Sequence, residues 1–267
     1  MVKIEPPPVW DKSTYIRPIQ TTVGGLRAFT HLAELRPPGI RPCRAYVKHF
    51  APTAHRCLFN EWFGYTFMQA MGVPQPKAGF VLAPVHALPG APLQWGFASC
   101  QPSPMFEGTP AQLYNLANPE QHKALAKRLL ACTAMPLLIA VDQLVKNGDR
   151  NMGNLVFTGK TGFVAIDHSD ILGGPAWALT DTHFTQRWEI CKPIELVAAV
   201  ADLKNDAKSA ILASAQLVSQ QLFELQAQFG LALGAHCQTD VSAALAMVWW
   251  RALELEKWFK HKLGLMT

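Results

Sequence analysis

Short apolar runs dominate the first hundred residues. Residues 16–23, 44–50 and 78–82 are rich in β-branched and aromatic side chains, and turn signals such as Pro37-Pro38-Gly39 separate them, so they predict strands. Between the second and third runs, Phe59, Trp62, Phe63, Phe67, Ala70 and Met71 recur at helical spacing and predict a helix over 58–71. Gly72 supplies a stop, and Pro74 and Pro76 prevent continuation. After Pro110 the pattern changes. Residues 119–145 read as helix, 154–166 as a hairpin, and 194–229 and 240–263 as long helical stretches rich in Ala, Leu, Gln and Glu. Residues 98–109, in which two prolines and a glycine interrupt both periodicities, predict the connection between a part spanning 1–104 and a part spanning 105–267. There is no internal repeat and no low-complexity tract.

The longest apolar run, residues 129–141, is thirteen residues long and contains Pro136. That is short of the roughly 20 residues a bilayer requires, so the run reads as a buried helix and no membrane span is expected. A chain of 267 residues with 49% hydrophobic and 16% charged side chains is globular rather than disordered. Its net charge of +5 is spread along the sequence, which suits solubility and mildly favours anionic ligands. No basic cluster with interleaved aromatics is present, and Lys257, Lys260 and Lys262 read as the solvated face of a final helix, so nucleic acid is not an expected partner. Cys43, Cys57, Cys100, Cys132, Cys191 and Cys237 are isolated, without Cys-x-x-Cys spacing, which indicates neither a zinc site nor a disulfide framework and points to a reducing compartment. With no apolar segment in residues 1–8, a cytoplasmic location is expected.

The chemistry concentrates in residues 141–168. A polar loop after an apolar helix holds Asp149 and, five residues later, Asn154; the next apolar run ends on Asp167. Three oxygen-bearing side chains thus gather at neighbouring ends of one hairpin. Carboxylate and amide oxygens are what Mg²⁺ prefers, and it usually takes one or two protein carboxylates together with substrate phosphates. Taken singly, Asp149 and Asn154 also suit helix caps or Asx-turns. Asp170 rivals Asp167 as ligand, since both lie in Asp-His-Ser-Asp, and His168 beside them stays open as a functional residue. Upstream, Lys48 sits in an apolar strand pattern, where an ammonium is costly unless it meets an anion. Gly159-Lys160-Thr161 has the ending of a P-loop, but Asn154 stands where that motif needs glycine, so it reads as a hairpin turn.

Gly-Asp-Arg-Asn-x-Gly-Asn at 148–154, followed by Ala-Ile-Asp-His at 165–168, resembles the catalytic loop and metal-binding segment of the protein-kinase-like superfamily, and most of all the HipA-like kinases and phosphatidylinositol kinases. The resemblance implies that Asp149 orients or deprotonates an acceptor hydroxyl, and that Asn154 and Asp167 hold Mg²⁺ on the phosphates of ATP. It further implies that Lys48 reaches the α- and β-phosphates, that Glu61, in the Asn-Glu-aromatic opening at 60–62, pairs with Lys48, and that Gly24 and Gly25 belong to a loop over the phosphates. Asn151 and His168-Ser169 depart from the pattern, standing where phosphatidylinositol kinases have His and where kinases have Phe-Gly.

The fold expected from this likeness is α+β and two-lobed, with a small amino-terminal sheet carrying one helix and a larger helical carboxy-terminal lobe. The expected activity is ATP- and Mg²⁺-dependent phosphoryl transfer to a Ser or Thr of a protein acceptor. AMP transfer, a small-molecule or lipid acceptor, and a non-catalytic nucleotide-binding scaffold are the alternatives. Thr21 and Thr22, beside the proposed phosphate loop, are candidate autophosphorylation sites. Trp249, Trp250 and Trp258 read as core or lobe-packing residues, with a dimer contact as the alternative.

Overall fold

A computed structural model of the chain describes residues 4–21, 28–39, 41–87, 90–102, 107–178, 188, 192–195 and 205–265. It is α+β. Five antiparallel strands, β1 (Tyr15–Thr21), β2 (Ala28–Leu35), β3 (Cys43–Phe50), β4 (Ala78–Pro84) and β5 (Leu93–Cys100), form one sheet in the order β1-β2-β3-β5-β4. Strand β3 is central. Its alternation buries Ala45, Val47 and His49 on one face and leaves Tyr46 and Lys48 half-buried on the other. Register sets Thr30 of β2 and Phe97 of β5 on either side of Lys48.

The sequence pattern predicts β1, β3 and β4 but not β2 or β5. Strand β5 contains Gly96, which weakens a strand pattern. The glycine is needed: a Cβ at this position would lie 2.8 Å from the carbonyl oxygen of Lys48.

Helix α1 (Cys57–Ala70) joins β3 to β4 and ends at Gly72, whose φ of +83° suits the turn in which the Gly72 and Val73 amides donate to the carbonyls of Gln69 and Met68. Although α1 belongs by sequence to the amino-terminal part, Trp62, Phe63, Phe67 and Met68 are buried in one apolar cluster with the carboxy-terminal helices. Its rings make a stacked series, Phe59 on Phe63 on Phe67, and Phe67 meets Phe229 at 5.3 Å.

The single helix expected over 119–145 is instead two. Helices α2 (Pro110–Leu113), α3 (Pro119–Leu130) and α4 (Met135–Leu144) follow in order, and α3 and α4 meet at 91°. Proline explains the break. Pro136 lacks the N–H a helix interior requires and fits only the first turn of a new helix, where it stands in α4. Helix α4 is almost wholly buried, and the guanidinium of Arg251 donates to its terminal carbonyls, to Leu144 at 3.0 Å and Gln143 at 2.7 Å. A cation at a helix carboxy-terminus is electrostatically favoured.

Helical residues Asn205–Lys262, α5, do not make one rod. Straight, they would extend about 87 Å. Yet Ser219 Oγ donates to the Ala252 carbonyl at 3.2 Å, and the rings of Phe223 and Trp249 lie 4.2 Å apart. The chain therefore doubles back between Phe223 and Trp249, and the two arms pack on α4 and α1. No single helix among the described residues is long and apolar enough to cross a membrane.

Candidate functional site

The expected hairpin forms from β6 (Leu155–Phe157) and β7 (Phe163–Ala165), joined through Gly159-Lys160-Thr161, which is a turn and not a phosphate loop. Asn154 immediately precedes β6, and Asp167 follows β7. The Ile166 amide donates to the Asn154 carbonyl at 3.0 Å, so the two ends lie side by side.

Lys48 meets its expected partner Glu61 and also Asp167, which was expected only as a metal ligand. Its Nζ lies 2.8 Å from Glu61 Oε1 and 2.8 Å from Asp167 Oδ1. Three elements converge here: β3 presents the amine, the second turn of α1 the glutamate, and the segment after β7 the aspartate. Glu61 is 1% exposed, and its second oxygen, Oε2, accepts from the His168 amide at 3.0 Å. The glutamate therefore bridges the sheet and the segment carrying Asp167.

The charges reinforce one another. Burial works against the Lys48 ammonium, but Asp167 and Glu61 outweigh it and raise its pKa. Burial likewise works against the Asp167 carboxylate, and the adjacent ammonium overcomes it, holding this carboxyl well below the usual carboxylate range. For Glu61 burial wins over Lys48, and the pKa is raised. Asp167 is also conformationally unusual, with φ at +65°, a left-handed backbone that costs on the order of 1 kcal/mol outside glycine. Ser169 secures it: the hydroxyl donates to Asp167 Oδ1 at 2.7 Å.

Asp149 and Asn154 sit on one tight loop. Asn154 Nδ2 donates to the Asp149 carbonyl at 2.8 Å, and Asn151 caps the intervening turn by accepting from the Gly153 amide at 2.7 Å. These are the local Asx-type bonds that Asp and Asn favour in loops, and here they aim the Asp149 carboxylate outward. It is 48% exposed, with Lys192 Nζ 3.3 Å from Oδ1. Among the described residues Asp167 Oδ2 and Asn154 Oδ1 accept no hydrogen bond, so each side chain keeps an oxygen for a cation. No group of three or more His, Cys, Asp or Glu is placed to hold a metal among the described residues. Two such oxygens, if they met one cation, would suit Mg²⁺, which retains waters and phosphate oxygens, better than a cage-binding metal.

A buried network beneath the loop escapes the sequence pattern. Arg150 is fully buried and pairs with Asp142 of α4, Nε to Oδ2 at 2.9 Å. Its Nη1 donates to the carbonyls of Asn154 at 3.3 Å, Asp167 at 3.3 Å and Ile166, so one guanidinium ties both ends of the hairpin. Its Nη2 bonds His168 Nδ1 at 3.0 Å, and His168 Nε2 meets Gln75 Oε1 at 2.7 Å, which makes Nδ1 the acceptor and Nε2 the donor. Burial, aided by Arg150, pushes the His168 pKa far down and keeps the ring neutral. His168 is thus a positioning residue. The available signal was Asp142, a carboxylate inside an apolar helical run that needs a buried partner. Asn60 performs a parallel service, donating to the carbonyls of Ser169 at 2.8 Å and Gly174 at 2.9 Å while accepting from Trp177 Nε1.

Above these groups is a cleft of about 380 Å³, bordered by Thr30, Tyr46 and Lys48 of the sheet, Gln101 and Pro102 after β5, and Gly153, Ile166 and Asp167 below. Gly24, Gly25 and Thr22 lie outside the described residues, as does part of the expected connection at 98–109. Of the sequence-predicted residues Lys48 and Asp167 border this cleft, whereas Asp149, Asn154 and Asp170 are not among the residues that do. The sequence matches no protein-family model and no curated protein.

Proposed function

We propose that the cleft binds ATP with Mg²⁺ and that the protein is a phosphotransferase with a two-lobed, kinase-like arrangement, most similar to the HipA-like kinases, acting on a Ser or Thr of a protein. The observation that carries this reading is the position of Lys48, an ammonium held between Glu61 and Asp167 on the wall of a cleft large enough for a nucleotide. A half-buried lysine held between two carboxylates, one of them fully buried, is a costly arrangement to keep for packing alone.

Phosphoryl transfer asks for positioning and charge neutralisation more than for covalent chemistry. Glu61 retains Lys48 in place while the nucleotide's phosphates compete with Asp167 for its donors. Bound Mg²⁺ supplies neutralisation of the phosphate charge, and Asp167 Oδ2 and Asn154 Oδ1 are the oxygens that would hold it. In this reading Asp149, outward-facing and half-exposed, would accept a hydrogen bond from an acceptor hydroxyl. Lys192 beside it would meet negative charge at the point of transfer.

Asp149→Asn removes the carboxylate and leaves the loop's backbone bonds intact. Transfer of γ-phosphate label to a serine- or threonine-bearing protein should fall by about 10²-fold or more, while MgATP binding measured by calorimetry stays unchanged. Wild-type transfer by the variant would remove Asp149 from this role, and label arriving from the α-phosphate would replace phosphoryl with AMP transfer.

A further inference from the structure

Two of the cysteines that look isolated along the chain meet in the fold. Cys43 at the start of β3 and Cys100 at the end of β5 place their sulfurs 3.0 Å apart, the two thiols sharing a hydrogen bond. Both are free, Cys100 buried and Cys43 half-buried. They lie on the same face of the sheet as Ala45, which pairs with Cys100. A second cavity, of about 560 Å³, opens over them, and its lining includes Cys43, Cys100, Arg41 and Lys77. Arg41 and Lys77 are exposed and cationic.

We propose that Cys43 and Cys100 are a thiol modification site at which an anionic low-molecular-weight disulfide, of the glutathione-disulfide class, is reduced as the two cysteines join in an intrachain disulfide, and that this link weakens nucleotide binding in the adjoining cleft. The geometry assigns the order of events. Both thiols border the cavity, Cys43 is the less buried of the two, and the hydrogen bond from Cys100, together with the Lys77 charge, lowers its pKa despite burial. Cys100 is pushed up by that same hydrogen bond and by burial, and remains the thiol.

Cys43 thiolate attacks one sulfur of the small disulfide, forming a mixed disulfide and expelling one small-molecule thiolate. Cys100 then gives its proton to water and attacks Cys43 Sγ, expelling the second thiolate. Two cysteine thiols are oxidised, one small disulfide is reduced to two thiols, and no further oxidant is required. The sulfurs have about 1 Å to travel, since the bond is ~2.05 Å long.

The link bears on the cleft because Cys100, Gln101 and Pro102 border both cavities. Cross-linking the end of β5 to the start of β3 fixes the exit from the sheet toward the helical part, where the Gln101 amide already donates to the Arg44 carbonyl at 2.7 Å. It opposes any adjustment of that wall around a ligand. This last step rests on the nucleotide reading; the thiol chemistry does not.

The test is peptide mapping of the full chain under non-reducing conditions after incubation with glutathione disulfide, with MgATP titrations of the reduced and oxidised forms. The expected result is a Cys43–Cys100 linked peptide that dithiothreitol abolishes, a glutathione adduct on Cys43 in Cys100→Ser, and a several-fold rise in the MgATP dissociation constant on oxidation. An unmodified Cys43, or a wild-type Cys43 that stops at the mixed disulfide, overturns the site. A linked protein that binds MgATP as tightly as the reduced one overturns the coupling. If the reduced protein binds no MgATP, both the nucleotide reading and the coupling fall, and the peptide map alone decides the thiol site.

Discussion

Lys48 shows at one residue how burial and chemistry combine. An ammonium in an apolar strand is unfavourable until two carboxylates meet it, and the two are unequal: Asp167 has a depressed pKa and Glu61 a raised one. Truncating Lys48 should therefore act chiefly through Glu61. Lys48→Ala is expected to lose about 3–5 kcal/mol at neutral pH, as for breaking a buried pair. The pH dependence gives the signature. A carboxyl whose folded pKa lies above its unfolded value binds its proton more tightly in the folded state, so the variant's stability should fall as pH rises through the interval above about 4.3. Chemical denaturation across that range checks this, and a variant that gains stability with rising pH there would show that Glu61 has another partner.

Two histidines produce the opposite slope in the wild type. Burial, and then the neighbouring His49 ring, lower His31 to about 4, and His168 is lowered by burial and Arg150. Both are neutral in the fold and take up a proton on unfolding, so their contribution is complete above about 6.5 and is lost as pH falls from there, for His31 down to about 4. For His31 the slope should be at most about 1 kcal/mol per pH unit, allowing for solvent screening. His31→Asn should flatten it, and an unchanged acid limb would transfer the effect to other groups.

Among the elements, α1 has the most demanding position. It carries Glu61 to Lys48 and also passes so close to the segment after β7 that a Cβ at Gly64 would lie 2.5 Å from His168 Cβ. Gly64→Ala raises helix propensity but must push α1 and His168 apart. It should cost about 1–3 kcal/mol net and loosen the Glu61–His168 bond, giving faster hydrogen exchange at the His168 amide. A stabilised variant with unchanged exchange would mean that α1 can shift freely. The apolar spacing of residues 58–71 made this helix legible in the sequence; nothing in the spacing marked Gly64 as a contact point, because its need comes from a residue more than a hundred positions away. The same limit hid the Arg150–Asp142 pair and the Cys43–Cys100 contact. Strand β2 and β5 were missed because His31, Gly96 and the polar ends dilute their alternation, while the break between α3 and α4 was signalled by Pro136 but masked by continuous apolar character.

At the scale of the whole molecule, the order along the chain is what brings the site together. Lysine on the third strand, glutamate in the following helix, then asparagine and aspartate flanking a later hairpin are separated by long stretches, yet the fold sets both Glu61 and Asp167 against Lys48 and joins Asn154 by its backbone to Ile166, next to Asp167. The spacing of Asp149, Asn154 and Asp167 was readable from sequence; their support, a buried guanidinium and a neutral histidine, was not. The central claim is that this arrangement is a magnesium-nucleotide site. Thermal unfolding of the wild type and of Asp167→Asn, each with and without MgATP, tests it most directly. Ligand at about 100 times its dissociation constant should stabilise the wild type by roughly 2.7 kcal/mol, a rise of several degrees, dependent on magnesium and lost in Asp167→Asn. A wild-type midpoint unmoved by millimolar MgATP, or a shift of equal size in both proteins, would contradict the account.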